Sequence, residues 1–252
     1  MTCSFSHHHG RHVGRIRGFT IIELSIVLVV VALLLGTFIT PLSNQVDQRS
    51  YTDTQRRLED IREALIGYAV ANGRFPCPGS STNGGWEAFA AGGTTTNGNC
   101  LSFSGLIPGT QLGLTSIDTQ GLAIDGWTSA QNRIRYAITN QTVNGVTNSF
   151  TAAGGMRNAG VGALGTQCSY LFVFTGSVVS TTCGSAPPSN VLSNGDAVFV
   201  LYSLGKDAAD EQPGDGKNFL YQMFSTANFD DQVLWVSRYT VINRLVQAGQ
   251  LP

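Results

Sequence analysis

Beyond residue 18 this chain has no histidine; all four, His7, His8, His9 and His12, crowd near its start. That absence removes Ser/His/Asp and Cys/His catalytic arrangements, and any imidazole-bound metal, from residues 19–252. Charged side chains are scarce, at 12% of residues. No CxxC pair or zinc-like cysteine spacing occurs. The glycines at Gly154, Gly155, Gly160 and Gly162 lack the lysine of a phosphate-cradling loop. Residues 1–18 hold Arg11, Arg15 and Arg17 and no acid, so removing them takes the formal net charge from -1 to -4. A mildly acidic chain of that kind does not bind nucleic acid by neutralising phosphates. The histidine cluster reads as incidental composition of a leader.

The basic leader runs into GFTIIELSIVLVVVALLLGTFITPL, which carries one carboxylate, Glu23. A carboxylate at the centre of a bilayer costs roughly 2.5 to 3.5 kcal/mol unless paired or kept near an interface, so its presence needs a reason. The run is just long enough to cross a bilayer. The three leader arginines hold the start in the cytoplasm and send the rest across. No A-x-A-like site or lipoprotein cysteine follows, which argues against an ordinary secretory signal, and a plain signal anchor leaves Glu23 unexplained. Beyond Pro41 the pattern becomes one-sided, with Leu58, Ile61, Leu65 and Tyr68 at helical spacing between charged residues. An amphipathic helix is expected there, bent or melted at Gly36 and Pro41 and stopping near Asn72 and Gly73.

Cys3 lies in the leader, and Cys77, Cys100, Cys168 and Cys183 lie beyond the apolar run. Four cysteines in an exported, loop-rich region read as two disulfides with three pairings open. Sequence order favours Cys77 with Cys100 and Cys168 with Cys183, each pair bracketing a stretch rich in Gly, Ser, Thr and Asn. Strands are expected over 133–139, 169–175, 197–203, 219–224 and 233–236, followed by a short helix closed by Gly249. The fold class is α+β: a long N-terminal helix packed on an antiparallel sheet. The domains are a leader (1–18), a membrane helix (19–42), its amphipathic extension (43–73) and a globular head (74–252).

Gly18 followed by Phe19, with Glu23 at the fifth position from Phe19, resembles the type IV pilin and type II secretion pseudopilin superfamily over Gly18 to about Pro41. The resemblance implies cleavage after Gly18 by a prepilin peptidase, methylation of the new amino terminus at Phe19, and assembly into a helical filament. It implies further that Glu23 neutralises the terminal ammonium of a neighbouring subunit's Phe19. The implied partners are the peptidase, other pilin or pseudopilin subunits and an inner-membrane assembly platform. The head is expected in the periplasm before extraction into a pilus or pseudopilus. No enzymatic role and no required cofactor are expected.

The segment YSLGKDAADEQPGDGKNF gathers Asp207, Asp210, Glu211 and Asp215, with Asp230 and Asp231 following before Trp235. It is similar to the calcium loop of major type II secretion pseudopilins, although its lengths depart from that pattern. Asp207, Asp210, Asp215, Asp230 and Asp231 are therefore candidate calcium ligands, since calcium takes six to eight oxygens in irregular geometry; a water-solvated acidic turn is the alternative. Asp118 and Asp125 give no carboxylate pair that sequence can place at catalytic separation. Trp86, Trp127 and Trp235 read as packing aromatics. The competing functional reading is a signal-anchored periplasmic or surface ligand-binding module using the Cys77–Gly126 region.

Overall fold

The computed structural model describes residues 18–127, 132–223 and 229–251, and the side chains of 35–44 lie outside the described set. The leader calls on Cys3, the histidines and Arg11, Arg15 and Arg17 therefore fall outside the described residues. In chain order the elements are α1 (Ile21–Asn72), β1 (Ser104–Leu106), α2 (Gly109–Leu112), β2 (Arg135–Ile138), α3 (Gly155–Ala159) and α4 (Val161–Thr166). They are followed by β3 (Phe172–Phe174), β4 (Val191–Asn194), β5 (Ala197–Ser203), β6 (Asn218–Leu220), β7 (Gln232–Ser237) and α5 (Arg238–Gln247). The chain divides into two compact units, Met1–Val46 and Asp47–Pro252.

In the first unit, Thr20 opens α1: its hydroxyl accepts the Glu23 N–H at 3.3 Å and its carbonyl the Leu24 N–H at 3.1 Å. Thr20-Ile21-Ile22-Glu23 thus has the sequence of a capping box. Helical assignment runs through Gly36 and Pro41, so the melting expected there does not occur. A single proline removes one donor from a ladder that the neighbouring turns maintain. Among the described residues, no helix is long and apolar enough to cross a membrane. The described apolar side chains end at Leu34, whereas the sequence-predicted span 19–42 continues into residues whose side chains are outside the described set.

In the second unit the one-sided pattern of α1 does what its spacing predicts. Leu58, Ile61, Leu65, Ile66 and Ala69 are buried in one core with Val241 and Leu245 of α5, while Arg56, Glu59, Asp60 and Glu63 stay exposed. Gly73, at φ 66°, closes the helix by donating to the Ala69 carbonyl at 2.8 Å.

This helical layer covers one face of a four-stranded antiparallel sheet, ordered β1-β2-β5-β7. The opposite face meets a three-stranded sheet, ordered β4-β3-β6, through Val173, Phe219, Val200 and Tyr202. β5 is buried at all seven positions because it is covered on both faces. A register shift between Ala197 and Phe199 lets both Val198 and Phe199 face the helical core.

Two features depart from the expected all-antiparallel sheet. β3 and β6 pair in parallel, and β1 and β4 are three- and four-residue strands whose polar, glycine-containing sequences carry little strand signal of their own. β7 ends at Ser237, which is also the N-cap of α5 and accepts the Thr240 N–H at 3.3 Å.

Candidate functional site

The acidic loop leaves the end of β5 through Leu204 and Gly205. Gly205 has φ +66°, and a β-carbon there would sit 2.4 Å from the Asp230 carbonyl oxygen and 2.5 Å from its carboxyl group. Only glycine lets the loop close over Asp230. Asp230 is 3% exposed. Its Oδ2 accepts the backbone N–H groups of Lys206, at 2.6 Å, and Asp207, at 3.1 Å, while its Oδ1 has no hydrogen-bond partner. An orphaned buried carboxylate oxygen is costly to retain, which makes it a marker of an unmet ligand.

Carboxylate oxygens of Asp207, Glu211 and Asp230 lie within 4.8 Å of one another, an arrangement that can hold a cation. Burial pushes Asp230 and Glu211 above the usual carboxylate range, and neighbouring acids add to the shift. Like charges gathered without a counter-ion behave in this way, and a divalent cation reverses it.

The sequence-predicted ligand set is thus redrawn. Asp207 and Asp230 converge as expected. Asp215 does not join them: against the effect of burial, the backbone N–H groups of Asn218 and Lys217 hold it below the usual range. Those bonds, at 2.7 and 2.8 Å, close its own turn. Asp210 accepts from the Gln212 backbone at 3.2 Å and stands outside the cluster. Asp231 turns away to Gln212, whose Nε2 donates to Oδ2 at 2.9 Å, and burial beside Glu211 pushes its carboxyl up to about 8. Glu211, not assigned as a ligand from sequence, takes the third place. Its position four residues after Asp207 was the available signal.

Compared with protein-family models, curated proteins and solved structures, the chain matches none. The arrangement is therefore interpreted from its own residues.

At the other end of the chain, Gly18, Phe19 and Glu23 are all exposed, and Gly18 has open space where a β-carbon would sit. A protease reaching the Gly18–Phe19 bond meets no fold to unfold first. Both cysteine pairs form disulfides, Cys77–Cys100 and Cys168–Cys183. Between Cys77 and Gly126 the chain is pinned by the first bridge, by isolated pairings such as Gly79 with Glu87 and Phe89 with Cys100, and by a buried ion pair. That pair, Arg74–Glu87, sequence reading missed. Its side chains are 5% and 7% exposed, with two contacts of 2.6 and 2.7 Å.

Asp118 and Asp125 do not form a catalytic pair. Asp118 is bound to Arg133 at 2.7 Å. Asp125 is 2% exposed and accepts from Ser203 Oγ at 2.5 Å and the Trp127 backbone at 2.8 Å. Burial pushes Asp125 up to about 6, with Arg57 opposing and Asp230 reinforcing the shift. The native state then binds this proton more tightly than the unfolded chain, whose carboxyl has the ordinary value of 3.8. Stability from this group is present at low pH and falls as pH rises from about 4 to 6. Asp125→Asn should remove that slope, on the order of 2 to 3 kcal/mol across the window. Urea titrations of both proteins at pH 4, 5, 6 and 7 check it, and parallel pH profiles would contradict it.

Proposed function

We propose that this chain is a pilin-like structural subunit, of a type IV pilus or a type II secretion pseudopilus, processed at Gly18 and assembled into a helical filament. The observation that carries this reading is the apolar start of α1. Phe19, Ile21, Ile22, Leu24, Ile26, Leu28, Val29 and Leu33 are each more than half exposed, on every side of the helix. A helix apolar all round requires lipid or other apolar helices about it. The exposed Gly18–Phe19 junction, and Glu23 three residues after the capping threonine, support the same reading.

In this proposal residues 19–42 hold the subunit in the inner membrane with the head in the periplasm. Cleavage after Gly18 then creates the amino group of Phe19. Within a filament core, Glu23 of one subunit neutralises that ammonium on the next, where an unpaired charge is costly and a paired one fixes axial register. The protein itself performs no chemistry in this scheme; prepilin peptidase, sister subunits and the assembly platform act on it.

In cells containing a prepilin peptidase, mass spectrometry should find a product beginning at methylated Phe19. Gly18→Ala should slow cleavage far less than a bulky residue there. Glu23→Ala should leave cleavage intact, because Thr20 still caps the helix, yet prevent incorporation into sheared filaments. Normal incorporation of Glu23→Ala would sink the charge-pairing account, and absence of a product starting at Phe19 would favour a signal-anchored module.

We also propose that Asp207, Glu211 and Asp230 hold a calcium ion, which suits hard oxygen donors on a loop. At 100 times its dissociation constant, calcium would stabilise the chain by about 2.7 kcal/mol, or roughly 5 to 10 °C in Tm. Asp230→Asn should abolish the rise, while Asp215→Asn should leave it. A melting temperature indifferent to both calcium and chelator would return the loop to a solvated acidic turn.

A further inference from the structure

A groove of about 1170 Å³ runs along the second unit, between the 48–62 stretch of α1 on one side and β7 with residues 175–176 and 221–223 on the other. It lies outside the Cys77–Gly126 region. Among the described residues no strand pairs with the outer edge of β7. At the groove wall, Gln232 is 5% exposed, and neither its Oε1 nor its Nε2 has a hydrogen-bond partner. Leaving a buried carboxamide with both ends unmet costs roughly 1 to 3 kcal/mol for each group. A methionine of the same length would avoid that cost entirely, so the amide is retained at the expense of stability.

The remaining lining defines the missing partner. Tyr221 and Trp235 stand edge to face, with centroids 5.4 Å apart at 77°, which leaves ring surface uncovered; Tyr221 is 45% exposed. Gln222 is fixed by donating to the Gly176 carbonyl at 3.0 Å, and Gln55 by donating to the Tyr51 hydroxyl at 3.2 Å, which leaves their amide oxygens facing the groove as acceptors. Arg62 is matched by Glu59 at 3.0 Å, so the walls impose no strong charge of either sign.

We infer that this groove binds a neutral oligosaccharide bearing N-acetyl groups. Exposed aromatic surface stacks on the apolar face of a sugar ring, and neutral amides suit hydroxyls. The acetamido group supplies one N–H and one C=O side by side, the complement of what Gln232 leaves open. This inference is independent of the filament proposal, since the groove belongs to the second unit alone.

The test uses the full-length protein in a detergent without a sugar headgroup, titrated with chitotetraose and with maltotetraose, which has the same number of rings and no acetamido group. Calorimetry should show chitotetraose binding at least tenfold more tightly than maltotetraose. Gln232→Met should raise Tm yet lose chitotetraose binding at least tenfold; Tyr221→Ala, at an exposed position, should weaken it without lowering Tm. Equal binding of the two sugars would overturn the acetamido assignment. No binding of either at millimolar concentration would overturn the site, as would a lower Tm in Gln232→Met. Preferential binding of an extended neutral peptide would overturn it in favour of strand addition to β7.

Discussion

Glu87→Ala is expected to destabilise the fold by about 3 to 5 kcal/mol, among the largest losses any single side chain here should produce. Arg74 sits just past the end of α1 and is buried against the Tyr68 ring, 5.5 Å from its centroid, with its guanidinium also donating to the Tyr68 hydroxyl at 2.9 Å. Glu87 returns two contacts and also accepts the Cys77 N–H at 3.1 Å. Removing the carboxylate strands a guanidinium that water cannot reach. Arg74→Leu together with Glu87→Leu should cost much less than either alone, because no buried charge is left unpaired. Urea unfolding of the three variants at pH 7 measures the coupling. Single-variant losses below about 1 kcal/mol would show that the pair behaves as a solvated surface bridge.

The second large effect belongs to the Cys77–Cys100 bridge. It closes a loop across 23 residues, and the chain-entropy relation gives roughly 3 to 4 kcal/mol for that length. Cys77 and Cys100 are 0% and 4% exposed and pack in the core, so Cys77→Ala with Cys100→Ala also loses contacts. The Cys168–Cys183 bridge closes 15 residues and its cysteines are only half-buried. Its removal should cost less, and dithiothreitol should reduce it first. Alkylation and mass mapping during reduction follow the order directly; simultaneous loss of both bridges would mean that the inner one opens without unfolding.

Much of the frame was legible because it rests on local pattern. The spacing of Leu58, Ile61 and Leu65 marked a buried helix face, Gly73 its end, and the unbroken apolar run of β5 a strand covered on both sides. Sequence order also gave the two disulfide pairs. What escaped depends on partners far along the chain. Glu87 is one acid in a glycine-rich loop, and nothing near it announces that Arg74 will meet it in the interior. β1 exists because β2 offers it an edge, and the parallel pairing of β3 with β6 follows from layering that no short window encodes.

The acidic loop was half read. Composition drew attention to the right segment, while turn chemistry decided the members: Asp215 precedes Gly216 and Asn218 and spends its oxygens on its own turn. Glu211 lacked such an occupation and was free to face Asp207. Counting acids could not separate a carboxylate committed to backbone donors from one left for a ligand.

The junction at Ser237 has a bearing on solubility. β7 borders open space, and an uncovered edge of this kind invites templated stacking of one molecule on another. Stacking often requires an edge strand to slide along its neighbour until a flatter alignment is found. Here no residue separates the strand from the helix, so a slip of one position would pull Ser237 off the Thr240 N–H and drag Arg238 away from the Asp196 carboxylate it binds. The helix acts as a stopper knotted into the end of the strand. A single glycine inserted after Ser237 would untie it, and fibril growth rates would register the change before any loss of native stability.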